Sequence, residues 1–311
     1  KFYLALVVIS TYLIDEIIEL SGRYSSELIT KDKLKDVGAL IVIDDGSKPK
    51  GDVGFIKEYL NNKGKLLLLV SGVTINQQTL SGAKGESPLL DAFADIGIKI
   101  NKDLAYDLQT AEVLTLGSNE MPYQLEYPYW FRALPKDSKF GPLATVKSIS
   151  MLFPSSLSVD EKDGYSYRRL ITTSAQAGKT ENEFKLSPET LEPLKANSRD
   201  VLLAASVEKD EMRLVVVSAS SVATDQVVQA SEDNASFVSN TVDYLAADKD
   251  VAGIPSKTAG RAVFEFGGKS DQAIFQYGNL LVPPVIIVGF AIWQLRRRKI
   301  LTKRTYVQPT A

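Results

Sequence analysis

The sequence predicts an α/β fold, a parallel or mixed sheet with flanking helices, followed by one hydrophobic C-terminal helix. Three observations carry this. Residues 39–43 (Ala-Leu-Ile-Val-Ile) form a short β-branched run that stops at Asp44-Asp45-Gly46, the pattern of a buried strand closed by a turn. Residues 51–62 place Phe55, Ile56, Tyr59 and Leu60 on one helical face. Residues 66–70 are a second apolar run of strand length. Strand, helix and strand joined by short links imply a right-handed crossover and parallel pairing.

The remaining elements follow in chain order. Residues 2–14 are apolar but are followed at once by Asp15-Glu16. They are too short to span a bilayer, which takes about 20 residues, and read as a buried strand running into a helix over 12–20. The other reading is the end of a signal anchor. The chain begins at Lys1 without a complete leader, so an upstream membrane segment is expected. Lys63-Gly64-Lys65 ends the first amphipathic helix, with Gly at the C-cap. Ser87-Pro88 supplies an N-cap and a proline at N1 for a helix through Leu89, Leu90 and Phe93 to Gly97.

Short strands are expected at 98–100 and 113–116. Residues 122–142 are rich in Pro and aromatics and read as an extended or edge segment. An aromatic-lined ligand groove is the sharper alternative there. Strands follow at 147–153, 168–173, 201–207 and 213–218, the last two joined by the polar turn Glu208-Lys209-Asp210-Glu211. Residues 232–246 carry Ala235, Val238, Val242 and Leu245 on one helical stripe. Residues 258–266 read as a last strand. No repeat and no low-complexity tract is present.

Composition narrows the chemistry. The 311 residues suffice for one large domain or two ordinary ones. A net charge of −2 argues against a general nucleic-acid binder. There is no Cys and no His, which excludes Ser-His-Asp and Cys-His nucleophiles, disulfides, and zinc sites built on those residues.

Residues 274–295 carry no charge, and as a helix they extend roughly 33 Å, enough to cross a bilayer. Tyr277 and Trp293 lie near the two ends, where aromatic belts belong. Pro283-Pro284 is a kink or a helix start, and Gly289 a point of close approach for another helix. Arg296, Arg297, Arg298 and Lys299 follow immediately. The last sixteen residues hold six basic groups and no acidic one, which leaves −8 on the remainder. By the positive-inside rule this tail is cytoplasmic and the acidic bulk lies across the membrane. The expected organisation is therefore an extracytoplasmic α/β domain over 1–250, a membrane-proximal connection over 251–273, a transmembrane helix over 274–295 and a basic cytoplasmic tail over 296–311.

Several landmarks occur in a fixed order. They are Ala39-Leu-Ile-Val-Ile-Asp-Asp-Gly, Phe55-Ile-Lys-Glu-Tyr-Leu-Asn-Asn-Lys-Gly-Lys, Pro88-Leu-Leu-Asp-Ala-Phe-Ala-Asp-Ile-Gly, Arg213-Leu-Val-Val-Val-Ser, Asn240-Thr-Val-Asp-Tyr-Leu-Ala and Trp293-Gln-Leu-Arg-Arg-Arg-Lys. In this order they resemble the GldG family, auxiliary components of ABC transporters linked to gliding motility, over roughly residues 1–299. The resemblance implies an extracytoplasmic domain similar to class I glutamine amidotransferases without a recognised catalytic apparatus. It also implies an N-terminal transmembrane segment, an ABC permease and a cytosolic ATPase as partners, and no cofactor. It transfers no catalytic residue. Membrane lipid is a further expected partner through the basic tail, and self-pairing remains open.

Other catalytic signals are weak. Ser81-Gly82-Ala83-Lys84 matches S-x-x-K but lies in a Gly/Ser loop, and Lys257-Thr258-Ala259 does not complete the companion pattern. Gly178-Lys179-Thr180 and Gly268-Lys269-Ser270 end like phosphate loops, yet the glycine required five residues earlier is Thr173 or Val263. Asp44 and Asp45 read as a solvated turn, Asp103 and Asp107 as unspecific, and Arg168-Arg169 as a solvated strand border. The expected function is a non-catalytic auxiliary subunit of a transporter. A stand-alone anchored sensor and an exported Ser/Lys or carboxylate hydrolase are the alternatives.

Overall fold

The computed structural model of the 311-residue chain describes residues 3–8, 37–49, 52–118, 121–247 and 269–302. The chain divides into two units, Lys1–Phe264 and Glu265–Ala311. The first is a mixed α/β structure built on a curled mixed sheet.

Half of that sheet is parallel. Strands β1 (Tyr3–Val8), β2 (Val37–Asp44) and β3 (Lys65–Val70) lie side by side in parallel. Helix α1 (Gly54–Asn61) forms the crossover between β2 and β3 and buries Ile56 and Leu60. The left-handed residue after α1 is Lys63 (φ 66°), not the expected Gly64. Gly64 is needed instead for space, because a Cβ there would lie 2.4 Å from the Tyr59 carbonyl oxygen.

Smaller pieces come next. Strands β4 (Val73–Asn76) and β5 (Ser81–Lys84) pair as a hairpin. The helix expected over 87–97 is two 3₁₀ turns, Pro88–Leu90 and Ala94–Ile96. The predicted cap is present, since Ser87 Oγ accepts from the Leu89 N–H at 3.2 Å. The two turns still bury Leu89, Leu90, Phe93 and Ile96, the apolar side chains on which the helix was expected. Strands β6 (Ile98–Ile100), β7 (Leu104–Asp107), β8 (Ala111–Ser118), β9 (Met121–Pro135) and β10 (Ile149–Leu152) follow.

The second half closes the sheet. Strands β11 (Leu157–Val159), β12 (Ser166–Thr172), β13 (Ala177–Thr180), β14 (Leu202–Lys209) and β15 (Met212–Val217) complete the set. The main sheet runs β1-β2-β3-β15-β14-β12-β9-β10, with β8 on β9 off that path. β15 is parallel to β3, and every pair from β15 to β10 is antiparallel. The polar turn expected between β14 and β15 is there, with Asp210 at φ 55°. Helices α2 (Asp225–Ala230) and α3 (Glu232–Ala246) follow.

Strand alternation divides the core between two faces. Ile41, Ile43, Leu67, Leu69, Val215 and Val217 pack with Phe237 and Leu245 of α3. Leu40, Val42, Leu66, Leu68, Leu214 and Val216 pack with Ile56 and Leu60 of α1 and with Leu89, Leu90 and Phe93. Burial on both faces explains why these strands read as unbroken apolar runs. A smaller cluster gathers Tyr106, Tyr127, Tyr129, Phe184 and Leu186.

The second unit contains helix α4 (Lys269–Thr302), 34 residues long, which runs through Pro283 and Pro284. The helix therefore does not start at these prolines. Residues 274–295 lie inside it. Among the described residues, no helix is long and apolar enough to cross a membrane. The helix expected over 12–20, the strand expected over 258–266 and the tail beyond Thr302 lie outside the described residues.

Candidate functional site

The four parallel strands end on one edge of the sheet, β2 at Asp44, β3 at Val70 and β15 at Val217. In open α/β sheets this carboxyl edge is where ligands bind. Asp44 is fully buried, contrary to the solvated turn expected of it. Its carboxylate accepts from the Gly46 N–H at 2.9 Å and from the Ser87 hydroxyl. Burial pushes its pKa up to about 6, Asp45 adds to the rise, and the two hydrogen bonds pull it back.

Serines fill the rest of the edge. Ser71 Oγ and Ser220 Oγ share a hydrogen bond of 2.9 Å, and the Ser220 N–H donates to Ser71 Oγ at 3.1 Å. The Gly72 N–H donates to Ser155 Oγ at 2.9 Å. The Ser218 hydroxyl donates to the carbonyls of Ser155 and, at 2.8 Å, Leu203. The backbones pack tightly here. A Cβ at Gly72 would lie 1.9 Å from the Asn101 carbonyl oxygen, and Gly46, at φ +82°, would place one 2.3 Å from that of Ser71. Each of these hydroxyls is spent on a neighbouring segment, so the edge is closed on itself. Such a network joins strand ends and loops.

Two further buried carboxylates act the same way. Asp103 accepts from the Ser156 N–H at 2.8 Å and Oγ at 2.6 Å, with Lys179 Nζ 3.5 Å away. Asp107 accepts from the N–H groups of Gln109 (2.9 Å), Thr110 (3.1 Å) and Ser174 (2.6 Å) and from Ser174 Oγ (2.8 Å). Among the described residues, no group of three or more His, Cys, Asp or Glu could hold a metal.

The structure separates the weak catalytic candidates. Ser81 and Lys84 occupy the ends of β5, and residues three apart on a strand point to opposite faces. Ser81 Oγ bonds Thr79 Oγ1 at 2.7 Å, whereas Lys84 Nζ donates to Asn182 Oδ1 at 3.3 Å. Gly178, Lys179 and Thr180 lie within β13, with no helix to carry a phosphate loop. Arg168 and Arg169 are exposed on β12, and Arg168 pairs with Asp137 at 2.9 Å. Residues 121–135 form the extended strand β9, in line with the extended reading of 122–142; the alternative, an aromatic-lined groove, is not supported at Tyr127, Tyr129, Phe131 and Phe140, which are all buried, while Tyr123 is exposed.

The proposed anchor residues, Pro283, Pro284, Gly289, Trp293, Arg296, Arg297, Arg298 and Lys299, all lie in α4. Trp293 is exposed, packs against Phe290 at 5.6 Å and carries Arg297 over its ring at 5.4 Å. Nothing lies within 4 Å of a Cβ built on Gly289. The serine network was not foreseen. Ser71 and Ser220 are 149 positions apart, and a single Ser after a strand has no spacing signature.

A family model described as an ABC-type uncharacterized transport system matches residues 11–247. A comparison with curated proteins gives no match. Among solved structures, the mmIFT52 N-terminal domain shares the fold, with a TM-score of 0.51 at 13% identity over 79% of this chain and 98% of that one. A putative ThuA-like protein from Bacteroides uniformis aligns with a TM-score of 0.43 at 9% identity, over 81% of this chain and 94% of that one. The match over 11–247 takes in β2, β3, the serine-lined edge, β15 and α3, so the chain belongs to the ABC-type uncharacterized transport system family of auxiliary components.

Proposed function

We propose that this chain is a non-catalytic auxiliary subunit of an ABC transporter complex, of the GldG type. In this reading the α/β unit lies outside the cytoplasm and engages the permease together with an exported substrate or an envelope partner. The observation that carries it is the family match over residues 11–247; beside it, the carboxyl edge of the parallel strands is tied together by separate contacts, Ser71 with Ser220, Ser87 with Asp44, and Ser218 with the Ser155 carbonyl. The edge serves to stiffen the domain, which suits a scaffold that transmits contacts.

Helix α4 supports a membrane-associated role for the second unit. Every residue from Leu281 to Arg297 is exposed, and Leu281, Val285, Ile286, Val288, Phe290, Ile292 and Leu295 cover all sides of it. A helix that is apolar all round belongs in an apolar surrounding, here lipid and the permease helices. Gly289 would allow close helix approach, and Arg296 to Lys299 would face anionic headgroups on the cytoplasmic side.

Affinity purification of the full-length protein from native membranes in mild detergent tests the assignment. A permease and an ATPase recovered in near-stoichiometric amounts are expected. Recovery of the protein alone across several detergents would overturn it.

A further inference from the structure

Strand β10 lies at the end of the main sheet, and among the described residues β9 is its one strand neighbour. The Phe153 N–H donates to the Tyr129 carbonyl at 2.8 Å. By alternation, Ile149, Met151 and Phe153 turn their backbone groups toward β9, while Ser148, Ser150 and Leu152 turn theirs away. An outward row of this kind is a template for pairing with another chain. The strand itself lacks the usual protections. Ile149-Ser150-Met151-Leu152 has no charge and no proline, and it pairs with β9 without a bulge.

Side chains from elsewhere in the chain take the place of a neighbouring strand. Asn234 binds Ser150 twice. Its Oδ1 accepts from the Ser150 N–H at 2.8 Å, and its Nδ2 donates to the Ser150 carbonyl at 2.8 Å. Ser221 treats Leu152 the same way. Its Oγ accepts from the Leu152 N–H at 3.3 Å, and its hydroxyl donates to the Leu152 carbonyl at 2.6 Å. Asp233 Oδ2 accepts from the N–H groups of Lys147 and Ser148, both at 3.3 Å. The three side chains thus meet the strand at Ser148, Ser150 and Leu152, the two-residue period of a ladder. Asp233 and Asn234 are buried in the first turn of α3. The cap residue of that helix, Ser231, makes no side-chain bond, whereas Asp233 and Asn234 reach back 84 to 86 positions to the sheet.

We infer that Ser221, Asp233 and Asn234 form a guard that stands in for a strand and keeps β10 from pairing with a second copy of this chain. The edge fits a second copy by its own geometry. Two antiparallel β10 strands centred on Ser150 set Ser150 against Ser150 and Ser148 against Leu152. Every outward group then meets an outward group about a two-fold axis. No charged side chain within the strand opposes this pairing. The protection that other edges carry on the strand is here supplied by α3 and by the turn at Ser220–Ala223.

Sedimentation equilibrium of the full-length protein in detergent micelles tests the guard. The S221A/N234L double variant removes the groups that bind Ser150 and Leu152 and keeps bulk at position 234. It should self-associate at a concentration about ten-fold or more below that of the unsubstituted chain, the ratio that one or two net backbone hydrogen bonds support. Adding Leu152→Pro removes an outward N–H without touching the bonds to β9, and should restore the association of the unsubstituted chain. If the double variant melts cooperatively and associates no more than the unsubstituted chain, the inference fails. Association that survives Leu152→Pro runs through another face and also overturns it. If the double variant does not fold, Ser221→Ala alone decides. It should speed amide exchange at Leu152 but not at Met151 and increase self-association, and unchanged association would refute the guard.

Discussion

Asp44 shows how much one buried carboxyl can bias a fold. Its pKa is raised from the ordinary 3.8 to about 6, with burial as the main cause. A carboxyl that binds its proton more tightly when folded makes the native state more stable as pH falls from about 6 to about 4. Ionisation above that window costs up to about 3 kcal/mol. Asp44→Asn keeps an acceptor for the Gly46 N–H and can donate to Ser87 Oγ. Thermal melts from pH 4 to 7 should show the native chain losing stability with rising pH through this window, and the variant showing a flatter profile. An identical slope in the two would remove the assignment. Gly72 is a second residue-scale case, this time steric. Alanine there meets the Asn101 carbonyl at 1.9 Å, so the backbone has to move, and a loss of about 1–3 kcal/mol is expected in urea unfolding.

At the scale of the element, α3 depends on one buried cation. Arg213 of β15 donates through Nη1 to the carbonyls of Tyr244 (2.7 Å) and Ala247 (3.0 Å), closing the C-terminal end of the helix. Its guanidinium lies 5.1 Å from the centre of the Tyr244 ring, and the Tyr244 hydroxyl donates to Glu208 Oε1 at 2.5 Å. Arg213→Met preserves bulk but leaves two carbonyls without their donor, with an expected loss of about 1–3 kcal/mol. Phe237→Ala on the same helix removes a fully buried ring and should cost about 3–5 kcal/mol. Denaturant titration separates the two. The arginine variant should loosen exchange protection mainly in the last turn of α3, whereas the phenylalanine variant weakens the whole unit.

At the scale of the molecule, the two units set the expectation. A chain ending at Phe264 retains both core clusters that flank the sheet. It should unfold cooperatively at the temperature of the same transition in the longer chain. A large drop in melting temperature on removing residues 265–311 would show that α4 supports the α/β unit, contrary to this division.

Much of this architecture was legible in the residue order. The runs at 39–43, 66–70, 201–207 and 213–218 read as strands because both faces of each are buried, and α3 was found over 232–246 because its stripe faces one core. Local chemistry also marked the Ser87 cap and the turn at 208–211. The sequence determined these features because each depends on periodicity, propensity or turn chemistry within a dozen residues. Only the tertiary structure decided the rest. It broke the helix expected over 87–97 into two tight turns that bury Leu89, Leu90, Phe93 and Ile96. It buried Asp44, turned Tyr127, Tyr129 and Phe131 inward, and joined Ser71 to Ser220 across 149 positions. It also placed Leu116, Tyr123, Leu125 and Met121 on one face of the β8–β9 ribbon, with Tyr123 and Met121 exposed. Burial, proton affinity and strand register are set by contacts between distant segments, and those contacts exist only once the chain has folded.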